Sequence, residues 1–146
     1  MKRLGFYLVG HEPVERVLPS IARAAKRQDQ TMLVVAQEAD LLDRLDQALW
    51  EMEPESFLAH GRADRPHADR QPVLLSTACS AANGAQLLAL ADGSWRDEAE
   101  SFERVLLFFD EGGRARARQT WSQFKDREDV EREFYEFEQG KWVKRA

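Results

Sequence analysis

The sequence predicts an α/β fold, with a mostly parallel central sheet flanked by helices. Two observations carry that prediction. Short, continuously apolar runs recur at residues 4–9, 31–36, 73–76 and 86–91, and amphipathic segments separate the first ones. Runs without polar alternation belong to strands buried on both faces, as parallel strands are, and strand–helix–strand–helix order supplies the crossovers a parallel sheet needs. With 146 residues, the chain is long enough for one domain with one core.

Leu4 to Val9 (LGFYLV) reads as the first strand, broken by Gly10-His11-Glu12-Pro13. His11 has no sequence partner and reads as a loop histidine. Val14, Val17, Leu18, Ile21 and Ala25 follow helical spacing around Pro19. Either a first turn precedes a helix with Pro19 at N1, or the helix kinks there. Arg23, Lys26 and Arg27 suit the negative end of that helix. Thr31 to Ala36 (TMLVVA) is the second strand.

A helix follows over residues 39–51. Leu41, Leu45, Ala48 and Leu49 form its apolar stripe, and Asp43, Arg44, Asp46 and Gln47 its wet side. Pro54 prevents its continuation. Trp50 at its end and Phe57 beyond the turn read either as core or as half of a partner interface.

Residues 61–71 read as a polar exposed loop, and His60, His67 and Asp69 match no metal-ligand spacing. Val73 to Ser76 and Gln86 to Ala91 are strands, with Asn83-Gly84 a turn between them. Over residues 97–109, Phe102, Val105, Leu106 and Phe109 keep helical spacing, although VLLFF also reads as a buried strand. Acidic residues at 97, 98 and 100 would suit a first helical turn and favour a helix.

The remainder splits by charge. Residues 114–125 hold Arg114, Arg116, Arg118 and Lys125 with no acid, and residues 126–138 are rich in Asp and Glu. On a helix, Arg114, Arg118, Trp121 and Lys125 line one stripe, with Ala117 and Phe124 turned to the core. Such a stripe is either a solvated helix face or a grip for an acidic peptide with an aromatic end: arginine forks carboxylates and indole offers apolar area. Val130, Phe134 and Phe137 suggest a second helical stripe, capped by Asp129 after a break. The chain is thus read as one domain over 1–146, with 126–146 a charged helical extension that could shield the basic stripe.

Composition narrows the function. A net charge of −5 disfavours wrapping nucleic acid by bulk electrostatics, which leaves contact with DNA indirect or local. No run reaches the length of a membrane span. Cys79 is the single cysteine, which fits a reducing cytoplasm and leaves no disulfide framework or evident activating base. There is no GxxxxGK[ST], no GxGxxG after the first strand and no Cys/His set for zinc. The topology is therefore read as Rossmann-like or P-loop-like without a P-loop, with no cofactor, no metal and no catalytic constellation. A binding module is favoured; the alternative is a small Rossmann-like nucleotide- or cofactor-binding enzyme.

Leu45-Asp46, Ala48-Leu49-Trp50, Pro54, Glu55-Ser56-Phe57 and His60, at this spacing, resemble the chi subunit of bacterial DNA polymerase III holoenzyme, over about residues 4–125. The resemblance implies a non-catalytic accessory subunit in DNA replication, the polymerase (nucleotidyltransferase) activity residing in the holoenzyme. It implies a bridge between the clamp loader, through the psi subunit, and the acidic C-terminal tail of single-stranded-DNA-binding protein. It assigns the tail to Phe109, Arg114, Arg118 and Trp121, beside Lys125 of the same stripe, and the psi-facing surface to Trp50 and Phe57.

Overall fold

The computed structural model describes residues 1–51 and 59–146. Eight strands form one sheet: β1 (Arg3–Leu8), β2 (Met32–Val35), β3 (Gly61–Arg62), β4 (Val73–Ser76), β5 (Leu87–Leu90), β6 (Arg104–Phe109), β7 (Glu131–Glu138) and β8 (Lys141–Lys144). Their spatial order is β3-β4-β2-β5-β6-β1-β7-β8. Every ladder is parallel except that between β7 and β8. The predicted α/β class holds, and the four apolar runs are strands.

Helices α1 (Val14–Arg27) and α2 (Ala39–Glu51) share one face of the sheet, and α3 (Arg114–Gln123) covers the other. Helix α1 runs through Pro19, which is buried within it, so the alternative of a separate first turn is not taken. Helix α2 buries Leu42, Leu45 and Leu49 and leaves Leu41 half-buried, a small rotation from the expected stripe. The sheet's α1–α2 face packs Met32, Val34, Leu75 and Ala89; its α3 face packs Leu33, Leu74, Leu88 and Leu107. Both faces of each central strand are dry, as the unbroken apolar runs require.

Residues 61–62, expected in an exposed loop, form the short edge strand β3 beside β4, and two larger expectations fail. Residues 104–109 are strand β6, not helix; the acids at 97, 98 and 100 sit instead in a 3₁₀ turn, Asp97–Ser101. Val105, Leu107 and Phe109 face α3 while Leu106 and Phe108 face α1 and α2, so period two, masked by apolar residues on both sides, overrides the apparent helical spacing. The 126–146 segment is likewise no helical extension. It forms the hairpin β7–β8, closed at Gln139-Gly140, where both residues have positive φ (50° and 78°) as a two-residue primed turn demands. Phe134 and Phe137, assigned to one helical stripe, lie on opposite faces.

Strand β7 is hydrogen-bonded to β1 from Arg3↔Glu131 to Leu8↔Glu136. The acidic segment is therefore part of the sheet rather than a detachable shield. Its one buried glutamate is tolerated because it is matched, and Glu128 and Glu131 are exposed. Glu133, 5% exposed, accepts from the Arg3 guanidinium at 2.6 Å and the Tyr135 hydroxyl at 2.9 Å, and Lys144 Nζ lies 3.4 Å away. Burial pushes the Glu133 carboxyl up, but the bonds from Arg3 and Tyr135 outweigh it and hold the pKa below the ordinary value. Burial, then the hydrogen bond to Glu133 and its charge, pushes the Tyr135 phenol up to about 12.

Candidate peptide-binding site

Helix α3 follows directly from β6. The Asp110 carboxylate accepts from the Gly113 N–H at 2.9 Å, capping the short turn Glu111–Gly113 that leads into the helix. Ala117 and Thr120 face the sheet, and Phe124, 1% exposed, closes the far end edge-on to Trp95 at 5.0 Å. With only a methyl group at Ala117, the middle of α3 leaves space over β1 and β7.

That space is a pocket of about 170 Å³ lined by Phe6, Phe109, Arg114, Ala117, Arg118, Trp121 and Phe134. A dry cavity of ~150 Å³ accepts benzene, so this one has room for one phenyl ring. Its walls are apolar and its rim cationic. Trp121 stands edge-to-face with Phe6, ring centroids 5.1 Å apart. The two rim arginines differ. Arg114 is forked onto Glu111, with both N–H···O distances 2.9 Å. That bond first, and the charges of Glu111 and then Glu136, hold its pKa up. Arg118 is exposed and has no hydrogen bond or ion pair among the described residues.

Phe109, Arg114, Arg118 and Trp121 thus converge on one pocket. Lys125 does not: it lies past the last residue of α3, is exposed and takes no part in the lining. Sequence reasoning missed the pocket walls Phe6 and Phe134, and Arg132, which lies against Trp121. Phe6 sits in a strand apolar on both faces, so nothing marked it as facing a pocket. Phe134 and Arg132 were assigned to a helix. Read with period two, EREFYEFE would have placed Arg132, Phe134 and Glu136 on one face.

A second surface lies at the end of α2. Trp50 is 56% exposed, and no other large apolar side chain among the described residues is exposed. The His60 imidazole, its side chain buried, meets Trp50 edge-to-face at 5.0 Å and lies 2.7 Å from the Asp46 carboxylate through Nε2. His60 thus links the indole of Trp50 to the Asp46 carboxylate on the same helix. Asp43, on the neighbouring turn, pairs with Arg62 at 2.8 Å. Phe57 and the turn expected around Pro54 lie outside the described residues.

Among the described residues no group of three or more His, Cys, Asp or Glu side chains could hold a metal ion. Cys79 is half-buried, and burial, then the nearby Glu98 charge, pushes its thiol up, away from a reactive thiolate. No helix among the described residues is long and apolar enough to cross a membrane.

A search of curated proteins found no match to this chain. The family model for the DNA polymerase III chi subunit, HolC, matches residues 1–130. That span holds α2 with its exposed Trp50, and all of the apolar pocket except the wall from β7. On that match, which covers most of its length, the chain belongs to the DNA polymerase III chi subunit family, an accessory component of the replicative polymerase.

Proposed function

We propose that this chain joins the clamp loader of the replicative polymerase to single-stranded-DNA-binding protein by holding the acidic, aromatic C-terminal tail of that protein at α3. The observation that carries this reading is the pocket itself: one ring-sized apolar cavity beside an arginine, Arg118, that no acid of the described chain neutralises. The aromatic side chain fills the cavity, and the carboxylates of the tail meet Arg118 and the more constrained Arg114. The chain contacts DNA indirectly, through that partner, and works in the cytoplasm without catalysing a reaction.

The exposed Trp50, braced by His60, together with Phe57, forms the surface for the psi subunit. An exposed indole at a helix end is the kind of anchor that protein interfaces use.

Isothermal titration of a synthetic peptide of aspartates ending in phenylalanine tests the first part. Wild type is expected to bind with micromolar affinity, roughly −8 kcal/mol. Absence of saturable heat removes the tail-binding reading. For the second part, co-purification with psi is expected for wild type and lost in Trp50→Ala; retention in that variant would move the psi surface elsewhere.

A further inference from the structure

We propose that Arg132, on β7 and beyond the family match, is a positioning residue of the tail pocket that also brings to it a second cation paired with no carboxylate among the described residues. The proposal rests on the tail-binding reading and adds to it the group that fixes the pocket's aromatic wall. The Arg132 Nη1–H donates to the Trp121 carbonyl at 2.7 Å, and its guanidinium lies over the Trp121 ring, 4.4 Å from the centroid. Phe6 meets the same indole edge-on. Trp121 is therefore held by Arg132 and Phe6, and a ring whose orientation is already set loses little freedom when a ligand arrives.

The carbonyl that Arg132 binds belongs to the last turn of α3, where a cation complements the helix dipole. The alternation of β7 puts Phe134, a pocket wall, on the same face two residues later. One strand thus delivers an apolar wall and a charge to one ligand.

The electrostatic surroundings of Arg132 are unusual for this region. Arg3 is matched by Glu133, Arg127 by Glu100 and Asp129, and Arg145 by Glu138 and Glu136. Arg132, on a strand with four glutamates, has no carboxylate partner among the described residues. A guanidinium has five N–H donors, and the Trp121 carbonyl takes one. The rest can serve an anionic peptide whose aromatic end lies against Trp121.

The test is calorimetry of the aspartate–phenylalanine peptide at low and moderate salt, against wild type, Arg132→Met and Arg132→Lys, each checked for folding by thermal melting. Arg132→Met is expected to weaken binding about tenfold, the loss of a charged hydrogen-bonding group, and to flatten the salt dependence. Arg132→Lys is expected to restore the salt dependence but only part of the affinity, because an ammonium cannot lie flat on the indole. A purely structural role would show no such split. Wild-type binding with Arg132→Met unchanged in affinity and salt response overturns the proposal and spares the tail-binding reading. No binding by wild type removes both. Should Arg132→Met fail to fold, NMR of wild type decides. The Arg132 Nε–H and Trp121 indole N–H resonances are expected to shift together on titration, and an unmoved Arg132 signal overturns the proposal.

Discussion

Two cavities of this molecule differ in a way that volume alone would misrank. The larger, about 350 Å³, opens at the carboxyl ends of β1, β5 and β6, between Glu12, Glu15, Arg44, Asp92, Asp110 and Arg116. The smaller is the 170 Å³ pocket beside α3. Enzymes of this architecture bind ligands at the carboxyl ends of their strands, so the larger cleft is where a nucleotide-binding rival would act. Its carboxylates, Glu12 apart, are occupied by the fold, and its two arginines each have a hydrogen-bond partner. Asp92 accepts from the Gln37 and Ser94 N–H groups and lies 3.5 Å from Arg96; Asp110 caps Gly113; Glu15 holds Arg44; Arg116 reaches the Ser94 hydroxyl. Acids around its mouth also repel phosphate. The smaller pocket has apolar walls and an arginine, Arg118, with no partner among the described residues. The proposed function rests on that combination of uncommitted charge and apolar surface rather than on volume.

Trp121→Ala should do most to break the contrast. It removes a wall of the small pocket and should cost about 2–4 kcal/mol of peptide affinity, as interface hot spots do, measured by calorimetry beside a melting curve that accounts for the lost Phe6 contact. Arg118→Ala should cost about 1–3 kcal/mol, the range for a charged hydrogen-bond partner. Arg114→Ala, whose guanidinium already answers Glu111, should cost less; the reverse order would show that the fork opens on binding.

Glu133→Gln sharpens the account of the pocket wall. The carboxylate ties β7 to β1 through Arg3, and losing its charge should destabilise the fold by about 1–2 kcal/mol at neutral pH. Its folded-state pKa is depressed, so this contribution is complete above the ordinary carboxylate value of about 4.3 and fades as pH falls through the lower folded value. Melting curves of wild type and variant should therefore converge in acid. The smallest effect belongs to Arg116→Ala. This residue is on the same helix but lines the larger cleft, and the change should leave peptide affinity within about 0.5 kcal/mol. Nucleotide titration of wild type should give no saturable heat, and saturation would revive the rival enzyme reading.

The central sheet was legible because each of its strands has to be apolar on both sides, and a run such as TMLVVA admits few other readings. The same property hid β6: a strand with two dry faces carries no alternation, and neighbouring acids imitated a helix start. The last hairpin was obscured differently. Its glutamates look solvated until Arg3, more than a hundred residues earlier, is brought beside Glu133, and no local pattern records that pairing. For the site, the periodicity of a single helix was enough to gather Arg114, Arg118 and Trp121. It carried Lys125 along, because the sequence does not show that the helix stops at Gln123. The partners from β1 and β7 depend on sheet order, which one chain's residue spacing does not encode.

The order of β7 in the sheet has a consequence for synthesis. A chain emerging from the ribosome has made the arginines and the indole of α3 by Trp121, yet it lacks the Phe134 side of the groove until a later strand slots in beside β1. On the tail-binding proposal, capture of the partner is tied to completion of the sheet, and an unfinished or truncated molecule carries the cationic rim without the closed groove.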